Sequence, residues 1–425
     1  MIWVMLVILF IFMLLGFPML VGMIMAPLVS MVLYAPQADL IVLIQQMVSG
    51  ISTYVLLAVP MFILAADIMC HGEMADRLLN FVGSLVKHVP GGLAITAGGT
   101  CTIFGAISGS TQATLVAIGK PMFKPMREVG YKDSHIIALL MSNANIALLI
   151  PPSICMIMFC VCTGESVGDL FLAGFGPGIM MFVGFSLYDF FYAKKNKIVS
   201  AEKSTGRERG IAFRKAILPL GFPVLVLGGI YSGIFSPTEA AAASVFYALI
   251  LEGLVYRTLK WSDIPKIGLS TGFVTASVFI LIAGGQAFSW IVSYAQIPQM
   301  LSETVFSHIT SGTGVLLFVS VFFFIACMFV DSIPVIIIMS PIVYPVAVSA
   351  GVDPMQLGII ITMQSAIGCI TPPFGCNIFT ACGIFQKDFK TVVSGLAPYM
   401  IINLCIAIAL VFFPDLALIS LNLFR

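Results

Sequence analysis

Two pairs of adjacent prolines interrupt apolar stretches of the sequence, Pro151-Pro152 and Pro372-Pro373. A proline inside a helix removes a backbone donor and clashes with the preceding turn, so each pair predicts a broken helix. The carbonyl groups before the first pair, from Ala147 to Ile150, lose their helical partners and become potential ligands for a cation. The helix that begins after the break directs free amides at an anion. Each break therefore predicts half of a site for an ion and a substrate.

Neutral polar side chains accompany both breaks. Asn143 and Ser153 flank the first pair of prolines, and Thr371 and Asn377 flank the second. Amides and hydroxyls can be buried at lower cost than charges when they find hydrogen-bond partners. They are therefore suitable groups for a binding site within a membrane.

Two further stretches place polar residues between apolar ones. The segment FGAISGSTQAT (104–114) contains Ser108, Ser110 and Thr111 among glycines, which is typical of the tip of a re-entrant hairpin. The segment MFVDSIPV (328–335) contains Asp331 and Ser332. An ionisable residue in an apolar stretch is a functional candidate by default. For Asp331 the alternatives are ion or gating chemistry and a structural hydrogen bond or hairpin cap.

The elements that must position these residues are membrane helices. Of the 425 residues, 60% are hydrophobic and 9% are charged, whereas about a quarter of the residues of soluble proteins are charged. Three intervals lack Lys and Arg, namely 1–76, 133–193 and 267–386. Roughly ten to twelve spans of about 20 residues fit the chain. The net charge of +1, with the basic residues in short loops, gives no indication of a nucleic-acid partner.

The sequence also divides into two similar halves. The double prolines lie 221 residues apart, and the same offset separates Pro177 from Pro398. We predict a first repeat at 1–193 and a second at 216–425, joined by a basic cytoplasmic linker at 194–215.

Each predicted repeat contains one hairpin and one broken helix. The hairpins are expected near 95–125 and 315–345, and the broken helices near 135–162 and 356–384. A cytoplasmic linker after an odd number of spans makes the repeats inverted. Inverted repeats with interrupted helices at equivalent positions indicate a secondary transporter.

The remaining reactive residues have simpler interpretations. The ten cysteines show no CxxC motif and no Cys/His spacing of a metal site, so we interpret them as buried structural thiols. The four histidines lie close to polar loop residues, and we expect no metal or acid–base cluster among them. Glu239, in the segment SPTE, is either a helix cap or a transport residue.

Five ordered motifs make the chain similar to the large membrane subunit of tripartite ATP-independent periplasmic (TRAP) transporters: LLAVPMFILA, FGAISGSTQAT, LIPPSICMI, GIFSPTEAA and ITPPFGCNIF. The resemblance runs from about Gly16 to Pro414. It implies a multi-pass protein of the bacterial inner membrane that imports an organic acid, of the sialic acid or C4-dicarboxylate class, by sodium symport. It also implies an elevator architecture, in which a transport domain slides against a scaffold.

The resemblance implies partners and site residues as well. A periplasmic binding protein delivers the substrate, and a small four-helix membrane subunit is expected as a separate chain. A first sodium site is expected at Ser108, Ser110, Ala147, Ile150 and Pro151. A second is expected at Asp331, Ser332, Gly368 and Thr371. The substrate is expected between them, near Thr111, Asn143, Ser153 and Asn377. We expect two or more sodium ions, and the sequence contains no motif for an organic cofactor.

Other functional classes fit less well. An intramembrane serine protease needs GxSG, and GAISG has one residue too many; the GxGD of an intramembrane aspartyl protease is absent. We therefore expect a protein that is not an enzyme. A passive channel or uniporter for small anions is the alternative, because broken helices and re-entrant loops also build selectivity filters. Sodium-dependent accumulation of substrate separates the two.

Overall fold

The computed structural model describes residues 1–37, 39–304 and 311–424, and these residues form helices, turns and loops without any strand. A helix satisfies its backbone hydrogen bonds internally, which a chain in hydrocarbon requires. The predicted all-α, polytopic architecture is confirmed.

Six helices of the described residues are long and apolar enough to cross a membrane. They are Val167–Lys195, Gly206–Tyr231, Pro237–Val255, Ile264–Tyr294, Gly312–Phe329 and Ser332–Ser349. A helix pair that bends by 56°, Ile41–Ile51 with Tyr54–Cys70, makes a seventh candidate. The number is lower than the roughly ten to twelve spans expected from composition, because several apolar helices have only 10–17 residues.

The order of helices in the first part of the chain returns in the second. The opening series is Ile2–Leu14, Met19–Tyr34, Ile41–Ile51, Ala58–Cys70 and Met74–Val86. The corresponding series is Gly206–Tyr231, Pro237–Leu249, Ile264–Tyr294 and Ile297–Thr304. The continuous helix Ile264–Tyr294 thus stands where the first series has its bent pair.

A hairpin of two helices follows each series. The first hairpin (residues 92–128) pairs Gly92–Ser108 with a second arm made of Thr111–Thr114, the π-helical turn Leu115–Gly119 and Lys120–Glu128. The second hairpin (residues 312–349) pairs Gly312–Phe329 with Ser332–Ser349. Gly109 forms the first tip with φ of 57°, a conformation that glycine adopts without a steric cost.

A helix with a break in its middle follows each hairpin. The first broken helix (residues 133–163) consists of Asp133–Ala144, the 3-10 turn Asn145–Leu148 and, after the prolines, Ile154–Thr163. The second broken helix (residues 354–385) consists of Pro354–Gly368 and Cys376–Phe385. Both proline–proline bonds are cis. The first broken helix is followed by the long helix Val167–Lys195. The second broken helix is followed by the short helix Phe389–Ser394 and then by Ala397–Phe412. The last two helices along the chain are Pro414–Ala417 and Ile419–Phe424.

Small residues let each hairpin approach its broken helix closely. A methyl group added at Gly105 would lie 2.7 Å from the Cα of Ala147. A methyl group added at Gly368 would lie 2.3 Å from the Cβ of Cys327. Small residues at helix contacts allow the backbones of membrane helices to come together. The same close contact therefore occurs in both halves, with the glycine on opposite partners.

The two halves interlock at their broken helices. Ile154–Thr163 packs against Ser332–Ser349 of the second hairpin, and Cys376–Phe385 packs against Thr111–Thr114 of the first. Buried apolar side chains of both halves form one continuous core around these elements. The hairpin tips and the two breaks consequently meet in the interior of the protein.

Candidate functional site

A chain of hydrogen bonds joins the two halves at their breaks. Thr111 Oγ1 donates to Asn377 Oδ1 at 3.0 Å, and Asn377 Nδ2 donates to Asn145 Oδ1 at 2.6 Å. Asn145 Nδ2 in turn donates to the backbone carbonyl of Ala366. The side chains of Asn145 and Asn377 are fully buried. We refer to Thr111, Asn145 and Asn377 as the amide network.

The amide network takes its members from three elements. Thr111 begins the second arm of the first hairpin, Asn145 begins the 3-10 turn of the first broken helix, and Asn377 follows the second break. A buried amide needs hydrogen-bond partners, so these residues hold the three elements in register. Of the predicted substrate residues, Thr111 and Asn377 are brought together. Asn145 completes the group and was not among them.

The other two predicted substrate residues have different hydrogen-bond partners from the amide network. Asn143 Nδ2 donates to the carbonyl of Leu139 at 2.9 Å, and a methyl group added at Gly98 would lie 2.6 Å from Asn143 Oδ1. Asn143 therefore faces the first arm of the first hairpin. Ser153 accepts a hydrogen bond from the N–H of Met156 at 3.5 Å and caps the helix that follows the first break.

The tip of the first hairpin concentrates oxygen atoms. Ser108 Oγ lies 2.8 Å from Thr114 Oγ1, which donates to the carbonyl of Ser110 at 2.8 Å. Ser110 Oγ accepts from the N–H of Ala113 at 3.4 Å. Ser108 and Thr114 are buried. Ser108 and Ser110 thus lie together, which is compatible with one site. The hydroxyl oxygen of Thr114 is a further possible cation ligand, and it was not selected from the sequence.

The first break lies against this tip. A methyl group added at Gly109 would lie 2.4 Å from the carbonyl oxygen of Pro152. The N–H groups of Leu149 and Ile150 both donate to the carbonyl of Ile146. No hydrogen bond from the described residues reaches the carbonyl oxygens of Ile150 and Pro151. Hydroxyl and carbonyl oxygens are the ligands that hard cations prefer, and the tip and the break supply both kinds.

The second hairpin tip meets the second break in the corresponding way, but with sulfur as well as oxygen. Ser332 Oγ lies 3.4 Å from the carbonyl oxygen of Ser365 and 3.2 Å from Cys369 Sγ. Thr371 Oγ1 donates to the carbonyl of Ile367 at 2.7 Å. The Asp331 carboxylate lies beside the sulfur atoms of Cys369 and Cys376. The structure thus brings Asp331 and Ser332 to the break that contains Thr371.

Glu239 has a structural partner. Its backbone N–H donates to Ser236 Oγ at 3.3 Å, and the N–H of Ser236 donates to Glu239 Oε2 at 2.8 Å. This reciprocal capping box begins the helix Pro237–Leu249 and satisfies two backbone donors. The helix-cap alternative therefore accounts for this residue.

Sequence reasoning missed a buried polar cluster of His135, Asp189 and Tyr399. His135 Nε2 lies 3.5 Å from Asp189 Oδ1, and Tyr399 OH donates to the same oxygen. The His135 ring stacks on Tyr192 with a centroid distance of 3.6 Å. Nothing in the sequence indicated this pairing of His135 with Asp189, because the partners come from distant helices. His308 lies outside the described residues.

Comparison with known proteins decides the family. Residues 6–416 match the family described as "Tripartite ATP-independent periplasmic transporter, DctM component". The chain belongs to this TRAP transporter family. The predicted resemblance is confirmed over nearly the whole length. As a TRAP large permease, the protein is a multi-pass inner-membrane protein and a subunit of a transporter, not an enzyme.

Two relatives of the TRAP large permease are similar over almost their full lengths. The ectoine TRAP transporter large permease protein TeaC of Halomonas elongata is 49% identical over 406 residues, which is 95% of each chain. The ectoine/5-hydroxyectoine TRAP transporter large permease protein UehC of Ruegeria pomeroyi is 48% identical, also over 95% of each chain.

A solved structure shares the fold. The YdaH transporter of Alcanivorax borkumensis aligns with a TM-score of 0.61 and 13% sequence identity, covering 88% of this chain and 87% of that one. At this level of identity the similarity concerns the architecture alone.

Proposed function

We propose that this TRAP large permease imports a zwitterionic solute of the ectoine class. The relatives that are 49% and 48% identical to it are named for ectoine and 5-hydroxyectoine. The expected sialic acid or C4-dicarboxylate substrate is not supported by these names. The broader expectation, that the protein is a subunit of a TRAP transporter, is confirmed by the family match.

The charge of the site is the observation that supports this substrate most directly. Ectoine carries one carboxylate and one delocalised amidinium group, so its net charge is zero. The amide network is made of neutral amides and a hydroxyl, and the intervals 133–193 and 267–386 contain no Lys or Arg. A dicarboxylate would require cationic partners to offset its desolvation. A net-neutral solute needs only hydrogen bonds.

The broken helices offer a separate partner for each end of such a solute. The helix that begins after a break presents backbone N–H groups and the positive end of its dipole to a carboxylate. The side-chain carbonyl oxygens of Asn145 and Asn377 can accept from amidinium N–H groups. Ser153, at the start of the helix after the first break, is one further donor on the carboxylate side.

Sodium is proposed as the driving ion. At the first tip, Ser108 and Ser110 with the carbonyls of Ala147, Ile150 and Pro151 supply oxygen ligands. At the second, Asp331 and Ser332 would bind the ion together with the carbonyls of Gly368 and Thr371. Each sodium ion that enters down a potential of 100 mV contributes about 2.3 kcal/mol. Two ions would therefore support accumulation of a neutral solute.

Movement and partners complete the proposal. The hairpins and broken helices pack closely on each other, which suits a transport domain that slides as one body in an elevator cycle. A small four-helix membrane subunit, as a separate chain, would brace the remaining helices. A periplasmic binding protein would deliver the solute.

Uptake into proteoliposomes tests this function. The vesicles contain the large permease with its small subunit, and labelled ectoine with its binding protein is added outside under an imposed sodium gradient. Concentrative uptake that requires both sodium and the binding protein is expected, with no uptake of labelled succinate or sialic acid. Equilibration of ectoine without sodium would favour the channel or uniporter alternative. Uptake of succinate or sialic acid instead of ectoine would overturn the proposed substrate.

A further inference from the structure

Three side chains with metal-binding atoms meet at the tip of the second hairpin. The Asp331 carboxylate and the sulfur atoms of Cys369 and Cys376 all lie within 4.8 Å of one another. We infer that they form a binding site for a thiophilic divalent cation of the Zn²⁺ or Cd²⁺ class.

The turn at the second break holds the two sulfur atoms together without help from an ion. Cys369 follows the helix Pro354–Gly368 directly, and Cys376 is the first residue of the next helix. The N–H of Asn377 donates to the carbonyl of Cys369 at 3.0 Å, and a methyl group added at Gly375 would lie 2.6 Å from the same oxygen. The chain therefore folds back on itself so closely that both thiols face one point.

The hairpin brings the carboxylate to that point. Gly368 packs on Cys327 of the hairpin, and Ser332 Oγ lies 3.2 Å from Cys369 Sγ. Asp331 is the N-cap residue of Ser332–Ser349, and its carboxylate interacts with the N–H of Ser332 and with the side chain of Cys376. At the first tip, Ser110 caps its helix. The carboxylate of Asp331 thus reaches the two cysteines from the start of its own helix.

The ligand set indicates the kind of cation. Zn²⁺ binds thiolate sulfur at about 2.3 Å and carboxylate oxygen at about 2.0–2.2 Å, in a tetrahedral arrangement. Ligand atoms in such a site are roughly 3.3–3.8 Å apart. The ligand atoms of Asp331, Cys369 and Cys376 are at most 4.8 Å apart, so small side-chain movements would bring them into this range. Three protein ligands leave the fourth position to water or to Ser332 Oγ.

Binding is coupled to proton release. Each thiol must lose its proton to become a ligand, so two protons pass to solvent when the cation binds both sulfur atoms. The affinity for the cation is therefore expected to rise with pH.

A bound cation would lock the second hairpin to the second broken helix. The cation would join the hairpin tip, through Asp331, to both ends of the break, through Cys369 and Cys376. Cys376 directly precedes Asn377 of the amide network. The cation would also occupy Asp331, which the proposed second sodium site requires. Zn²⁺ is therefore expected to arrest uptake. This consequence rests on the proposed function, whereas binding of the cation does not.

The first experiment measures binding alone. The full chain, purified in detergent with any affinity tag removed, is dialysed against increasing Zn²⁺, and bound metal is counted by elemental analysis. One Zn²⁺ per chain is expected. Cys369→Ser and Cys376→Ser should each weaken binding by at least about tenfold, whereas Cys382→Ser, on the same helix as Cys376, should not. Absence of binding, or equal binding by all variants, would overturn the site.

A second measurement guards against variants that merely misfold. In the unmodified protein, Cd²⁺ should protect Cys376 from alkylation by a maleimide while Cys382 reacts at an unchanged rate, as followed by mass spectrometry. Asp331→Asn should reduce this protection. Protection of neither cysteine, or of both equally, would count against the site. If the metal binds but the metal-free protein transports no ectoine, the proposed function fails and the site stands.

Discussion

Asn377 Nδ2 donates to Asn145 Oδ1 at 2.6 Å, and this hydrogen bond between side chains 232 positions apart joins the second break to the first. Both side chains are fully buried. The two broken helices are therefore held together by polar groups, each of which satisfies the other. Loss of either partner leaves a buried polar group without its hydrogen bond.

Asn145→Ala tests the amide network. Removal of the acceptor leaves the buried amide of Asn377 unsatisfied, which costs about 1–3 kcal/mol. We expect a lower thermal midpoint in detergent and a raised KM for ectoine uptake. Asn196→Ala is the control, because Asn196 is exposed at the end of a helix and should change neither quantity. An Asn145→Ala variant with unchanged KM would place the substrate elsewhere.

Replacement of both Pro151 and Pro152 by alanine tests the carbonyl ligands. Alanine restores the donors and the helical preference that the prolines remove, so the carbonyls before the break regain partners within the helix. The sodium concentration for half-maximal uptake should rise by about tenfold, which corresponds to about 1.4 kcal/mol. Pro223→Ala, in the interior of the helix Gly206–Tyr231, serves as a matched control. Normal sodium dependence in the double variant would contradict the first sodium site.

Tyr399→Phe tests the buried cluster around Asp189. The change removes the hydroxyl that donates to Asp189 Oδ1 and preserves the ring. A buried carboxylate that loses a donor costs about 1–3 kcal/mol, or more when it is charged. The thermal midpoint should fall, whereas Tyr54→Phe should leave it unchanged because Tyr54 is 64% exposed. Equal midpoints for both variants would show that the hydroxyl adds no stability.

Gly105→Ala tests the close contact between the first hairpin and its broken helix. The added methyl group meets backbone of Ala147 at 2.7 Å, so the helices must separate. Overpacking of this kind typically costs about 1–3 kcal/mol. Gly272→Ala adds the same group inside a helix where no atom lies within 4 Å, and it should be neutral or stabilising. Differential scanning fluorimetry of the two variants decides between these outcomes, and a Gly105→Ala protein as stable as Gly272→Ala would refute the contact.

Proline and glycine carried most of what could be foreseen from the sequence. Adjacent prolines break a helix wherever they stand, so the positions of both breaks followed from local chemistry. The polar stretch around Gly109 marked a tip for the same reason. Neither inference required knowledge of what packs nearby.

Residues whose role depends on packing were harder to foresee. Asn143 and Asn145 are two positions apart and chemically identical, yet only Asn145 faces the second half. His135 and Asp189 belong to separate helices, and the sulfur atoms of Cys369 and Cys376 meet only because the turn between them closes. Local spacing does not encode such contacts, since they arise when distant helices come together.

In the order of helices, the bent pair Ile41–Ile51 and Tyr54–Cys70 of the first half corresponds to the 31-residue helix Ile264–Tyr294 of the second half. A chain with two identical halves could pass between two states of equal energy if the halves exchanged their shapes. Because one half has a helix pair bent by 56° and the other has a continuous helix, the two states are expected to differ in energy. The empty protein should therefore have a preferred resting orientation before any solute or ion arrives.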